Sequence, residues 1–262
     1  MKIGVSEIMD TVYGPVASWR LGRSIGVDPI CRDKKICSFD CVYCQLGSSK
    51  TVYERSTFVS LDEIKKDLSE IDDVEADVIT FSGTGEPTIA KNIGEIIDFV
   101  NVNSDLPTAI LTNSSYLSNE EVIDSLLKVD NVVAKLDAPN KEIFQKVNRP
   151  HDKIDFEDYL RGIKDFSRIY NGKFSLQIMF VEANKFSAQR LVEIAKEIDP
   201  DEIQLNTPLR PKKANPIGEK EFQEIKDHFK ELKNVRNVYD SKKPEVKPID
   251  AKEVNKRKRS DT

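Results

Sequence analysis

From Ser24 to Asn206 the chain alternates short apolar, β-branched runs with amphipathic stripes of helical period, and this alternation restricts the fold more than any other feature of its 262 residues. Antiparallel strands can be joined by a two-residue turn, whereas parallel strands need a crossover long enough to hold a helix. The runs Ser24–Pro29, Asp77–Ser82, Thr108–Thr112, Asn131–Leu136, Phe174–Val181 and Glu202–Asn206 therefore predict six parallel strands, each read as covered on both faces. Between them, Ser60 with Glu63 and Ser118 with Glu121 show the capping-box spacing of helix starts. Asp155 precedes the stripe Phe156, Tyr159, Leu160, Ile163, Phe166 and Ile169, and Leu191, Ile194, Ala195 and Ile198 repeat the pattern. Glu219–Leu232, with Phe222, Ile225 and Phe229, predicts a last amphipathic surface helix.

These elements predict one α/β domain over residues 24–235, preceded by an N-terminal segment, 1–23, and followed by a tail, 236–262. Ser241–Thr262 is rich in Lys and Pro and nearly free of apolar periodicity, so an extended or disordered tail is expected, basic at Lys256–Arg259. Composition narrows the function classes. Forty Lys and Arg against 45 Asp and Glu argue against a nucleic-acid binder working by charge alone, while leaving room for a local basic patch. No apolar run approaches the roughly 18 residues that span a bilayer, and MKIGVSEIMD carries acidic residues where a signal peptide needs an apolar stretch. The expectation is a soluble cytoplasmic protein with no membrane partner.

All four cysteines, Cys31, Cys37, Cys41 and Cys44, fall within fourteen positions, and none follows in the remaining 218 residues. A disulfide scaffold would spread its cysteines along a shorter chain. Cys37, Cys41 and Cys44 have C-x3-C-x2-C spacing just beyond the first predicted strand, which lets three sulfurs share one loop. Thiolates select zinc or iron–sulfur clusters. Structural zinc prefers four ligands in two separated pairs, and neither His151 nor His228 is near, so the spacing favours iron–sulfur without closing the zinc alternative. Three thiolates on a [4Fe-4S] cluster would leave one iron open to a small molecule. Cys31 would block that iron as a fourth ligand and is expected to be a structural thiol.

Phe81-Ser-Gly-Thr-Gly-Glu-Pro-Thr88 closes the second predicted strand. As a plain turn it would put Gly83 and Gly85 at positive φ. It also lets backbone approach a ligand at the C-terminal edge of the sheet, where α/β proteins bind substrates.

Taken together, these motifs resemble the radical S-adenosylmethionine (SAM) superfamily. Cys37, Cys41 and Cys44 match its C-x3-C-x-aromatic-C signature with Tyr43 as the aromatic, and Thr84-Gly85-Glu86-Pro87 matches the position of its Gly-Gly-Glu-Pro-like motif. Tyr13-Gly-Pro-Val16, Arg20-Leu-Gly-Arg-Ser24, Cys44-Gln-Leu-Gly47 and Leu205-Asn-Thr-Pro208 resemble, more narrowly, small iron–sulfur oxidoreductases related to tRNA wyosine-base synthases. Those synthases are expected to carry a second cluster, for which this chain has too few cysteines.

The resemblance implies a partial (β/α)6 TIM-like barrel and an enzyme that uses one [4Fe-4S] cluster to cleave SAM. The resulting 5′-deoxyadenosyl radical would abstract hydrogen from an RNA base or another anionic substrate. It implies that Cys37, Cys41 and Cys44 bind the cluster, that Gly85 and Glu86 receive the methionyl amino end of SAM, and that Tyr43 faces the adenine. Asn113 and Asp137, at predicted strand ends, are the preferred ribose or carboxylate contacts; Ser114, Gln177 and Asn206 are candidates by location. The partners implied are an electron donor of flavodoxin or ferredoxin type and a tRNA or small anionic substrate.

Arg20 and Arg23 are candidates for an anionic substrate, with a surface salt bridge as the plain alternative. Arg210, Lys212 and Lys213 are basic candidates beyond the sixth strand, Trp19 is a candidate cavity cover, and His151 an acid–base candidate. A protein-directed generator similar to glycyl-radical activases is the competing enzyme reading, although Gln45-Leu46 stands where its His-Asn is expected after Cys44. A zinc-binding interaction module is the non-enzymatic alternative.

Overall fold

A computed structural model describes residues 9–71, 74–209, 214–250, 252 and 254. Its eight strands form one sheet in chain order: β1 (Val12–Ser18), β2 (Gly22–Val27), β3 (Val78–Phe81), β4 (Thr108–Thr112), β5 (Asn131–Lys135), β6 (Lys173–Met179), β7 (Glu202–Asn206) and β8 (Val235–Asn237). β1 pairs antiparallel with β2, and every later pairing is parallel. The crossovers carry α1 (Leu61–Ser69), α2 (Ile93–Asn103), α3 (Glu120–Leu126), α4 (Lys141–Val147), α5 (Phe156–Ile169), α6 (Ala188–Ile198) and α7 (Glu219–Asp227). The sheet curls into the expected partial TIM barrel, an α/β half-barrel whose six predicted strands are β2 to β7.

The period-two alternation of a strand sorts residues between the faces of this sheet. Ile79, Phe81, Ile110, Val132, Leu176, Ile178, Ile203 and Leu205 join Ile96, Ile163 and Phe166 of the helices in one apolar core. The intervening Ser24, Thr80, Ser175, Gln177 and Gln204 are buried and polar, and Ser24 and Thr80 share a hydroxyl hydrogen bond of 2.7 Å. The strands are thus covered on both faces, apolar towards the helices and mixed on the other, where Val78, Ala109 and Val133 stand among the polar residues.

Two strands lie beyond the six. The segment 1–23, read as preceding the barrel domain, supplies β1. Gly14-Pro15 falls within it, which an edge strand tolerates, and the register shifts between Tyr13 and Val16. β8 is three residues long and centred on Arg236, too short to show a period. Helix starts follow their caps. Ser60 makes the full capping box with Glu63, whereas α3 begins at Asn119, whose side chain accepts from Val122 N–H at 3.1 Å, instead of at Ser118.

One side chain links the free edges of the half-barrel. Arg236 of β8 donates to the carbonyls of Trp19 at 2.7 Å and Arg20 at 3.3 Å, in the β1–β2 turn. Beyond β8 the chain runs without regular structure to Ile249, whose N–H bonds Gly14 O at 2.7 Å, and Val254 is buried. Lys256–Arg259 lie outside the described residues. No helix among the described residues is long and apolar enough to cross a membrane.

Candidate active site

The chain leaves β2 at Asp28, which fixes the entry to the cysteine loop. Its Oδ1 accepts from Ile30 and Cys31 N–H at 3.0 and 2.9 Å, and its Oδ2 accepts from Thr84 N–H at 3.0 Å on the glycine loop after β3. Cys31 is buried, and its thiol donates to Met9 O and Asp10 O at 3.2 and 3.4 Å, so that sulfur is engaged by the backbone of β1's approach.

Ile36 then zips the two loops together. Its N–H donates to Thr84 O at 3.1 Å, and its carbonyl accepts from Glu86 N–H at 3.0 Å, a parallel bridge onto Gly85. The approach explains both glycines. A Cβ on Gly85 would lie 1.7 Å from Ile36 O, and one on Gly83 2.0 Å from Asp28 Cγ. Neither takes the positive φ expected of a tight turn; close contact between loops, and no left-handed backbone, excludes a side chain here.

Cys37, Cys41 and Cys44 follow as part-exposed free thiols. Phe39 anchors the loop, fully buried with its ring edge on Phe144 at 5.3 Å. Backbone bonds from Asp40 N–H to Asn148 O at 3.1 Å, Val42 N–H to Val147 O at 2.9 Å and His151 N–H to Ser38 O at 2.9 Å hold it against the end of α4. Two amides reach the sulfurs: Asn113 Nδ2 lies 3.5 Å from Cys37 Sγ and Asn148 Nδ2 lies 3.6 Å from Cys41 Sγ. Burial, then the Asp137 carboxylate, pushes the Cys41 thiol up to about 12; burial, then Glu86, raises Cys37 as well. Ligation must therefore displace protons from these sulfurs.

The donor set fits a cluster. No group of three or more His, Cys, Asp or Glu among the described residues is arranged to hold a single metal ion. Three soft donors spread along one loop suit a [4Fe-4S] cluster, in which each thiolate takes a different iron.

The polar residues assigned to SAM are placed differently from one another. Glu86 is buried, with its carboxylate accepting from Thr88 N–H at 3.2 Å, the hydroxyls of Thr88 and Thr112 at 2.7 Å each, and Asn113 N–H at 2.6 Å. That carboxylate locks the glycine loop to the end of β4, and burial raises its pKa despite the four donors. Asn113 also bonds Ser38 Oγ at 2.8 Å, and its Oδ1 accepts from Ser115 N–H at 2.9 Å. Asp137 is buried, accepting from Met179 N–H and Asn148 Nδ2 at 2.7 Å each and from the Tyr43 hydroxyl. Asn113 and Asp137 thus brace the cysteine loop. Lys135 Nζ sits 5.3 Å above the Tyr43 ring and donates to Gln177 Oε1 at 2.8 Å. Ser114 bonds Lys135 across β4 and β5. Asn148, Asp28 and Ser38 carry no local motif, and only the folded chain reveals their parts.

A cavity of about 440 Å³ runs along the face of the sheet away from the helices. Tyr43, Cys44, Gly83 and Gly85 line it together with Met179 and Asn206, and Trp19 and Arg20 line it from the β1–β2 turn. Arg23 faces elsewhere, in ion pairs with Asp77 at 2.6 Å and with Glu75, the plain salt bridge. His151 packs its ring against Tyr53 at 5.6 Å and is not among the cavity-lining residues. Arg210, Lys212 and Lys213 lie outside the described residues.

Residues 34–184 match the Radical SAM superfamily. Over 203 residues the chain is 41% identical to a UPF0026 protein of Synechocystis sp., covering 77% of this chain and 76% of that protein. Over 212 residues it is 36% identical to a UPF0026 protein of Methanocaldococcus jannaschii, covering 78% and 65% respectively. Its fold is similar to that of Streptococcus suis SuiB bound to S-adenosylmethionine, with a TM-score of 0.63 at 14% identity; the match covers 83% of this chain and 51% of SuiB, about half of that protein.

Proposed function

The chain belongs to the radical SAM superfamily, and from that premise we propose that it abstracts hydrogen from an anionic substrate held in the half-barrel cavity. As a family member it is an enzyme that binds a [4Fe-4S] cluster and cleaves SAM, and it needs a reductant. A bound cluster would supply the electron for reductive cleavage of SAM, chemistry that would provide a radical able to take a hydrogen atom from the substrate.

The protein's own contribution is position. Cys37, Cys41 and Cys44 are the proposed cluster ligands, held against α4 by Phe39 and oriented by Asn113 and Asn148. The Ile36–Gly85 bridge carries this reading, because it joins the cysteine loop to the glycine loop at one end of a single cavity. Gly83 and Gly85 present backbone to that cavity, the proposed seat of the methionyl amino end. Glu86 acts there by fixing the loop, since its carboxylate is occupied by donors from Thr88, Thr112 and Asn113. Tyr43 lines the proposed adenine side, its ring oriented by Asp137. A flavodoxin- or ferredoxin-type donor is the proposed reductant, and the kinship to wyosine-base synthases remains part of this reading on the motifs alone.

The test is anaerobic reconstitution followed by reduction with SAM, adding in turn a low-molecular-weight cell fraction and total tRNA. Stimulated 5′-deoxyadenosine formation with a small-molecule fraction supports a small anionic substrate, stimulation by tRNA alone supports an RNA base, and stimulation by neither rejects both.

A further inference from the structure

Arg20 stands out among the cavity residues because it is charged, enclosed and without a counter-ion among the described residues. Its Nε is sealed from solvent and meets no acceptor among the described residues, although the residue as a whole is part-exposed. No carboxylate among the described residues pairs with it, in contrast to Arg23 three residues further on, which holds Asp77 and Glu75. Burial pushes its pKa down to about 10 with no opposing carboxylate. An enclosed guanidinium lacking an anion is destabilising, and its planar fork of donors matches phosphate and carboxylate oxygens.

The turn that carries Arg20 is built rigidly. Ser18 Oγ accepts from the N–H groups of Arg20 and Leu21 at 3.3 and 3.1 Å, and Arg236 holds the carbonyls of Trp19 and Arg20 from the opposite edge of the sheet. The guanidinium carbon lies 5.5 Å from the centre of the Trp19 ring, a cation–π contact that leaves the fork's edge for an oxyanion. Lys243, from the segment after β8, lines the same cavity and adds a second positive charge.

We infer that Arg20 anchors the phosphate or carboxylate group of a small-molecule substrate at the end of the cavity away from the cysteine loop. The identity of the ligand as a substrate rests on the hydrogen-abstraction reading; the anion site itself does not. Enclosure favours a small molecule over a nucleic acid, because the edges of the sheet are tied by Arg236 and the gap is lined by Val238, Lys243 and Val254.

Trp19 is the chain's single tryptophan, so its emission reports on this turn alone. Reconstituted protein should be titrated with inorganic phosphate, pyrophosphate and acetate, each with and without saturating SAM, and with total tRNA. The expected result is a saturable emission change with at least one small anion, undiminished by SAM. It should weaken about tenfold or more in Arg20→Gln, weaken less in Arg20→Lys, and persist in Arg23→Gln. No response in the wild type, an equal response in Arg20→Gln, or a response to tRNA with none to the small anions overturns the assignment. So does loss of the anion response on adding SAM, which would make Arg20 part of the SAM seat. Failure of SAM cleavage with an intact anion titration would instead reject the function and leave the site standing.

Discussion

The side-chain amide of Asn148 donates to the Asp137 carboxylate at 2.7 Å, joining the end of α4 to the loop after β5 beneath Cys41. The same Nδ2 lies 3.6 Å from Cys41 Sγ, and Asp137 also accepts from Met179 N–H and the Tyr43 hydroxyl. One buried amide–carboxylate pair therefore sets both a proposed cluster ligand and the aromatic residue of its signature.

Removing Asn148 leaves Asp137 buried with fewer donors. A hydrogen bond to a buried charged group contributes about 1.5–3 kcal/mol, so Asn148→Ala is expected to lower unfolding free energy by about 2 kcal/mol and to reduce iron retained after reconstitution. Asn148→Asp, which sets a second carboxylate against Asp137, should be worse. Urea unfolding and iron analysis check both; a variant as stable and as iron-rich as wild type would contradict the bracing role.

Gly85→Ala should be among the most damaging single-methyl additions. Its Cβ would meet backbone, Ile36 O at 1.7 Å, so the loops must part, an overpacking penalty of about 1–3 kcal/mol or more. Equilibrium dialysis is expected to show SAM binding weakened at least about tenfold. Gly47→Ala is the comparison: Gly47 has φ +83° with nothing within 4 Å of a Cβ, so it carries a backbone penalty of about 1 kcal/mol and no clash. Equal effects of the two substitutions would mean that loop contact does not matter.

How much of this was legible beforehand depended on whether a feature was local. Thr108–Thr112 and Glu202–Asn206 were read to the residue because each run is bounded by turn or loop residues and carries the helix-facing apolar pattern in its own sequence. The cysteine spacing is likewise local. Asn148 meets Cys41 across 107 positions, and no short pattern encodes that contact. Asn113 and Asp137 were singled out because strand ends commonly face ligands; position was informative, but their polar atoms are taken up by the cysteine loop and its neighbours. β1 lies before Ser24, where the reading of strands begins, and the part of Gly83 and Gly85 was obscured by reading glycine as a turn.

Helix α1 offers a test by pH. Glu63 accepts from Ser60 N–H and Ser60 Oγ at 2.7 and 2.8 Å, and these bonds, the backbone one foremost, hold its carboxyl below the usual range. A carboxyl depressed in the folded state adds stability above its unfolded pKa, about 4.3, and loses it as pH falls through the folded value. The stability gap between wild type and Glu63→Gln should therefore be open at pH 7 and close in acid. Ser60→Ala should cost about 1 kcal/mol at pH 7. A gap that widens on acidification would contradict the assignment.

The central claim is that Cys37, Cys41 and Cys44 together hold the cluster that cleaves SAM. The most direct measurement is 5′-deoxyadenosine formed from SAM by the reduced, anaerobically reconstituted chain, compared with Cys41→Ala treated identically. The account predicts formation by the wild-type chain carrying about four irons and none above background in the variant. Undiminished formation by Cys41→Ala, or a wild-type chain that takes up zinc and cleaves no SAM, would contradict it.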